Sequence, residues 1–245
     1  MEGPPLKVIA EELSFLTGAT IVSASGNAKI EKTALEGKNI EKIYSRGKNL
    51  LFQLPEFTIR VHFVMFGSYS VNNPKTNSTP SLSLKTQKSI IEFYRCSIKM
   101  LRNEEIDVLF DEEVDIMSEN WNAKKVLELM LRQPEELICD VLLDQAIFAG
   151  VGNIIKNEAL FSAGVHPLSI TGKIPKEKIE EIINETRKFS KLFYTTRKNG
   201  KELKTLLMVY QKSRCPNSQQ QVVRMVTGKR KRLSHLCPDR QFRYQ

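Results

Sequence analysis

The sequence predicts an α+β fold, with a short leading helix and a β-sandwich over residues 1–117, a helical domain over 118–208 and a basic β-hairpin over 209–245. Three observations predict it. After the leading helix, runs rich in β-branched and aromatic residues, divided by polar punctuation, dominate up to about residue 117. After "SENWNA" the apolar residues recur every three to four positions, the period of a helix. The last stretch, of about 35 residues, holds two β-type runs around a glycine-containing basic turn.

Each element has its own signal. In "LKVIAEELSFL", Leu6, Ile9, Leu13 and Leu16 share one helical face, with Pro4 and Pro5 at the start and Gly18 beyond the end. "NLLFQL", "FTIRVHFVMFGSYSV", "PSLSLKT" and "SIIEFYRC" are rich in β-branched and aromatic residues, and polar runs such as "NNPKTNSTP" divide them. In the longest, Ile59, Val61 and Phe63 alternate with Arg60 and His62, which marks a half-buried strand. "AKKVLELMLRQ", "PEELICDVLLDQ", "GNIIKNEALFSAG" and "PKEKIEEIINETRKFSKLFYTT" read as four helices, with Pro134 and Pro175 at starts and Gly164 past an end.

Charge is placed unevenly. Residues 196–245 hold 13 Lys and Arg against two Asp and Glu, whereas residues 1–195 hold 24 against 26. A basic block that includes "GKRKR" at 228–232 suits a phosphate-backbone surface, and equally a solvated tail or a localisation signal. The four cysteines, Cys96, Cys139, Cys215 and Cys237, form no C-x-x-C pair and read as reduced thiols of an intracellular protein. No run is long and apolar enough for a membrane span, and the first residues do not read as a signal peptide.

One stretch concentrates the functional signal. "LLDQAIFAGVGNIIKNEALFSAGVHP" reads as helix, two tight turns and helix, with Gly150 and Gly152 in the turn and Asn153 directly after it. Glycines allow a tight turn or a close approach, and a helix start offers free N–H groups to an anion. The stretch resembles the helix-two-turn-helix signature of the formamidopyrimidine-DNA glycosylase and endonuclease VIII family, and the resemblance extends from Glu2 to the terminal hairpin. It implies that the turn meets a DNA phosphate, with Asn153 and Lys156 as DNA contacts.

The resemblance also implies a reaction. Members of the family use the N-terminal amine as nucleophile, usually on a proline within "PEGP", and this chain begins Met1-Glu2-Gly3-Pro4. Methionine before a bulky glutamate is a poor substrate for initiator removal, so the amine of Met1 takes the nucleophile position. An α-amine titrates at roughly 7.7 to 8.0, so on the order of a tenth is unprotonated at pH 7. Glu2 then stands as the proton donor and later shuttle. Lys48, after Gly47, matches a phosphate-contacting lysine that assists proton transfer, and Arg232 matches the arginine of the hairpin tip. Met65 in "IRVHFVMFGS" matches a wedge that fills the gap left by a flipped base, with His62 a neighbouring phosphate contact.

The expected function is therefore removal of oxidised bases from damaged DNA by a monomeric glycosylase that also cleaves abasic sites. The alternative is a catalytically inactive damaged-DNA binder. Family members commonly end in a zinc finger of four cysteines, whereas here the matching positions are Cys215, Ser218, Cys237 and Arg240. Serine is a poor ligand and arginine none, so Cys215 and Cys237 are remnants, and a zincless hairpin held by its own strands is expected, with any zinc weakly bound by an incomplete ligand set and no other cofactor.

Overall fold

The computed structural model describes all 245 residues. By internal contacts the chain forms two units: Met1 with Leu6–Phe110, and Glu2–Pro5 with Asp111–Gln245. The α+β class expected from the sequence is the one observed.

Helix α1 (Gly3–Glu12), which belongs to the first unit from Leu6 onward, begins with its two prolines in the first turn, where a missing N–H costs nothing. It is followed by a short 3-10 turn, Ser14–Leu16, so the expected helix is broken near its end. Leu6, Ile9, Leu13 and Leu16 are buried as their spacing demanded. They share a core with one face of the sheet, where Phe93 meets Phe52 and Phe63 edge to face at centroid distances of 5.7 and 6.1 Å.

That sheet has six strands: β1 (Ile21–Ser25), β2 (Lys42–Arg46), β3 (Asn49–Gln53), β4 (Phe57–Val71), β5 (Leu82–Thr86) and β6 (Ile90–Arg102). All pair antiparallel in the order β1-β5-β6-β4-β3-β2, so the β layer is hydrogen-bonded as one continuous sheet. Ile59, Val61 and Phe63 face the core in alternation. The register of β4 against β6 then shifts between Phe63 and Ser68, which leaves residues 64–67 as a bulge opposite Arg95. A single turn, α2 (Ile106–Leu109), closes the unit.

The second unit contains α3 (Ala123–Leu131), α4 (Ile138–Val141), α5 (Asn153–Ser162), α6 (Lys176–Lys198) and the hairpin of β7 (Val223–Thr227) and β8 (Arg232–Leu236). The Asn122 side chain caps α3 by accepting from Lys125 N. Gly164, at φ +68, terminates α5 in the left-handed conformation that its sequence position predicts. One expected helix is largely replaced. Of "PEELICDVLLDQ" only Ile138–Val141 is α-helical, because the following N–H groups fold into tighter three-residue turns, Leu143 onto Asp140 and Asp144 onto Val141.

Candidate active site and nucleic-acid interface

The turn before α5 is held by one side chain. Gln145 donates through Nε2 to Leu143 O and Val151 O, at 2.9 and 3.1 Å, and its Oε1 accepts Gly150 N at 3.1 Å. Gly150 lies at φ +94, where any side chain would be strained. Gly152 serves a different end. Its backbone is extended, but an added Cβ would fall 2.5 Å from Cγ, Cδ and Oε1 of Glu2. The Glu2 carboxylate therefore occupies the start of α5, accepting Ile154 N at 2.7 Å and Ile155 N at 3.2 Å, and Gly3 N donates to Gly150 O at 2.9 Å. The sequence led to a DNA phosphate at these amides. The anion found there is the protein's own carboxylate.

The first unit brings together a second set of residues. The Met1 amine donates to Phe63 O at 3.4 Å. Its charge acts on His62 and on Cys96, whose thiol burial pushes up to about 12. Gly47 and Lys48 form the two-residue turn between β2 and β3, with Gly47 at φ +52. His62 Nδ1 lies 2.9 Å from Lys48 O and 3.3 Å from Asn49 Oδ1; both are acceptors, so Nδ1 carries the proton. Burial first, then the charge of Arg60, hold the imidazole below its ordinary range. His62, expected as a phosphate contact, fixes through Nδ1 the turn that carries Lys48.

Met65 stands 70% exposed on the β4 bulge, although methionine on a strand is more often core. Phe66 beside it is 77% exposed and lies at φ +63, a conformation that only glycine, asparagine and aspartate adopt readily. Phe66 was not singled out in the sequence, although three successive apolar residues, Val64, Met65 and Phe66, break the alternation there.

On the second unit, α5 reads along β8. Asn153 Nδ2 donates to Leu233 O at 2.9 Å, Lys156 Nζ to Ser234 Oγ at 2.8 Å, and Asn157 Oδ1 accepts His235 N at 2.7 Å. Asn153 and Lys156, expected as DNA contacts, are thus engaged within the protein. Lys156 is fully buried and cannot reach a phosphate from where it lies. Burial lowers its ammonium to about 8, partly offset by Cys139, Asp140 and Glu2 and reinforced by Arg232. Arg232 itself is exposed at the first position of β8. The hairpin tip is clamped by Asp140, whose carboxylate accepts Lys229 N at 2.9 Å and Arg230 N at 3.4 Å. Gly228 is required for that approach, since a Cβ there would collide with the Asp140 carboxylate.

The cysteines need correction. Cys96 and Cys139 are free thiols, but Cys215 and Cys237 are joined as a disulfide across 22 residues, with their Cα atoms 5.8 Å apart. No short spacing announced the pair, because the second unit's fold brings the two chain segments together. As a metal site, Cys215 and Cys237 have only the Asp239 carboxylate nearby. Arg240 lies over the Phe161 ring and donates to Phe161 O and Ser162 O, and the His235 ring packs on Tyr210. That donor set does not fit a tetrahedral zinc of four soft ligands.

Comparison with known proteins gives a consistent identity. Residues 2–102 match the formamidopyrimidine-DNA glycosylase N-terminal domain, and residues 111–191 match the formamidopyrimidine-DNA glycosylase H2TH domain. Endonuclease 8-like 3 of Xenopus laevis is 31% identical over 238 residues, covering 93% of this chain and 39% of that protein. Endonuclease 8-like 2 of Bos taurus is 34% identical over 200 residues, 76% of this chain and 58% of that protein. The chain thus spans about two fifths of the length of the first relative. A crystal structure of a viral DNA glycosylase superposes with a TM-score of 0.86 at 24% identity, covering 99% of this chain and 100% of that one. The Lactococcus lactis formamidopyrimidine-DNA glycosylase, bound to DNA containing an abasic site, superposes at 0.87 with 22% identity, covering 98% and 99%. At these identities the superpositions establish the fold, while the two domain matches together take in most of the sequence: the chain belongs to the formamidopyrimidine-DNA glycosylase and endonuclease VIII family.

Proposed function

We propose that the chain is a DNA-repair glycosylase that removes oxidised bases and cleaves the resulting abasic site, with damaged DNA as its partner and a monomer as the working form. The observation that carries this reading is the seat of Glu2, a carboxylate held by two helix-start amides through a glycine that leaves it room, directly after a residue whose amine can act as nucleophile.

In this reading the Met1 nitrogen lone pair attacks C1′ of the damaged nucleotide, the bond from C1′ to the base breaks, and the base leaves with a proton. Glu2 donates a proton to O4′ as the sugar ring opens and the C1′–N bond becomes an imine. The imine acidifies C2′, a base removes that proton, and the 3′ phosphate departs. A second elimination can release the 5′ phosphate, and water then hydrolyses the imine and restores the amine. Lys48, on a turn fixed by His62, and Arg232, at the hairpin end, contact phosphates. Met65 and Phe66 act as the wedge that replaces the extruded nucleotide.

Borohydride trapping on abasic-site duplex tests the reading, after intact mass has verified a free amine on Met1. A covalent adduct that disappears when the amine is acetylated is expected. Salt-sensitive binding without an adduct would leave a damaged-DNA binder and remove the enzyme.

A further inference from the structure

A buried lysine is an expensive way to hold two elements together. Lys156 has no exposed surface, and its ammonium donates to Ser234 Oγ. An apolar side chain of the same length would fill the space without desolvating a charge. Asn153 and Asn157, on the same face of α5, already fasten the helix to β8 through Leu233 and His235. The fold alone therefore does not account for Lys156.

What surrounds Lys156 does. Its backbone N–H bonds to the carbonyl of Gly152, the residue against which the Glu2 carboxylate is seated. Its partner Ser234 Oγ lies 2.6 Å from Thr227 Oγ1, which in turn donates to Arg232 O at 3.3 Å. One relay thus runs from the helix that seats Glu2, through Lys156, Ser234 and Thr227, to the main chain of Arg232. The titratable groups that act on Lys156 include Glu2, Asp140, Arg232 and His235, with the thiol of Cys139.

We infer that Lys156 is a positioning residue, retained to fix Arg232 on its strand relative to the helix start that seats Glu2 rather than to stabilise the fold. The inference rests on the proposed glycosylase and lyase reading.

The test compares Lys156→Met, Ser234→Ala and the double variant with the wild-type chain, measuring Tm, affinity for abasic-site duplex and the single-turnover rate of borohydride trapping. Lys156→Met should keep or raise Tm, because it removes a buried charge and leaves Ser234 bonded to Thr227. Its trapping rate should fall about tenfold while affinity changes less than about threefold, the pattern of an interaction realised beyond binding. Ser234→Ala should lower Tm by leaving the ammonium without its partner, and the double variant should recover it. Wild-type trapping in Lys156→Met, or a clear loss of Tm in that variant, would overturn the assignment. Should the wild-type chain trap nothing, the proposed activity fails by itself. Lys156 is then judged on the order of the strand it is held to fix: amide exchange at Arg232 should accelerate at least about fivefold in Lys156→Met at unchanged Tm, and unaltered exchange would reject the role.

Discussion

Single residues carry conformational burdens that the core does not need. Gly152 lies at φ −124, so alanine is conformationally acceptable there, yet its Cβ would collide with the Glu2 carboxylate. Gly152→Ala should therefore lower stability by about 1.5 to 3 kcal/mol, the worth of the charge-assisted hydrogen bonds that the displaced carboxylate makes to the α5 start, and slow trapping by roughly 10- to 100-fold. Phe66 presents the opposite case, a strained and exposed aromatic with no core to fill. Asparagine tolerates the left-handed conformation, so Phe66→Asn should melt at the same temperature or higher. Affinity for abasic-site duplex should nevertheless drop by about 1 to 3 kcal/mol, the usual worth of base–aromatic stacking. A destabilised variant with full affinity would show that Phe66 serves the sheet.

At the scale of elements, the hairpin is fastened at both ends. Asp140 clamps its tip, and the Cys215–Cys237 disulfide ties the strand after it to the segment before β7. Asp140→Ala frees the N–H groups of Lys229 and Arg230, and hydrogen exchange there should accelerate while the six-stranded sheet exchanges as before. Reduction of the disulfide should lower the stability of the second unit by about 3 kcal/mol, the chain-entropy expectation for a loop of this length. Melting with and without a thiol reductant measures it, and a fully reduced chain with an unaltered transition would contradict it.

For the whole molecule, charge sets two dependences. The basic C-terminal stretch predicts DNA affinity that falls steeply with salt, and replacing Lys231 and Arg232 by glutamine should reduce the log–log slope by about 2. The second dependence comes from Lys156, whose folded-state value is about 8 against 10.5 for an exposed lysine. Between those values the unfolded chain holds the proton that the folded chain has lost. Stability therefore rises with pH through that window, by up to about 3 kcal/mol from this group. Lys156→Met should flatten the rise in denaturation experiments from pH 7 to pH 10.5. An identical pH dependence in the two chains would show that the ammonium is solvated.

Much of this protein is legible in local pattern. Period-two alternation marked the first half of β4, from Ile59 to Phe63, helical spacing marked the buried face of α1 and the long α6, and "AGVGN" marked the turn before a helix, because each signal lies within one element and depends on nearest neighbours along the chain. Pairing across the chain was not legible. That Glu2 fills the α5 start, that His62 serves the Lys48 turn, that Lys156 is buried under Ser234, and that Cys215 meets Cys237 all depend on segments far apart in sequence. Sequence named the residue types capable of the chemistry, whereas only the tertiary structure decided which were turned inward to hold others. Burial and hydrogen-bond satisfaction are properties of the packed chain, and no local spacing encodes them.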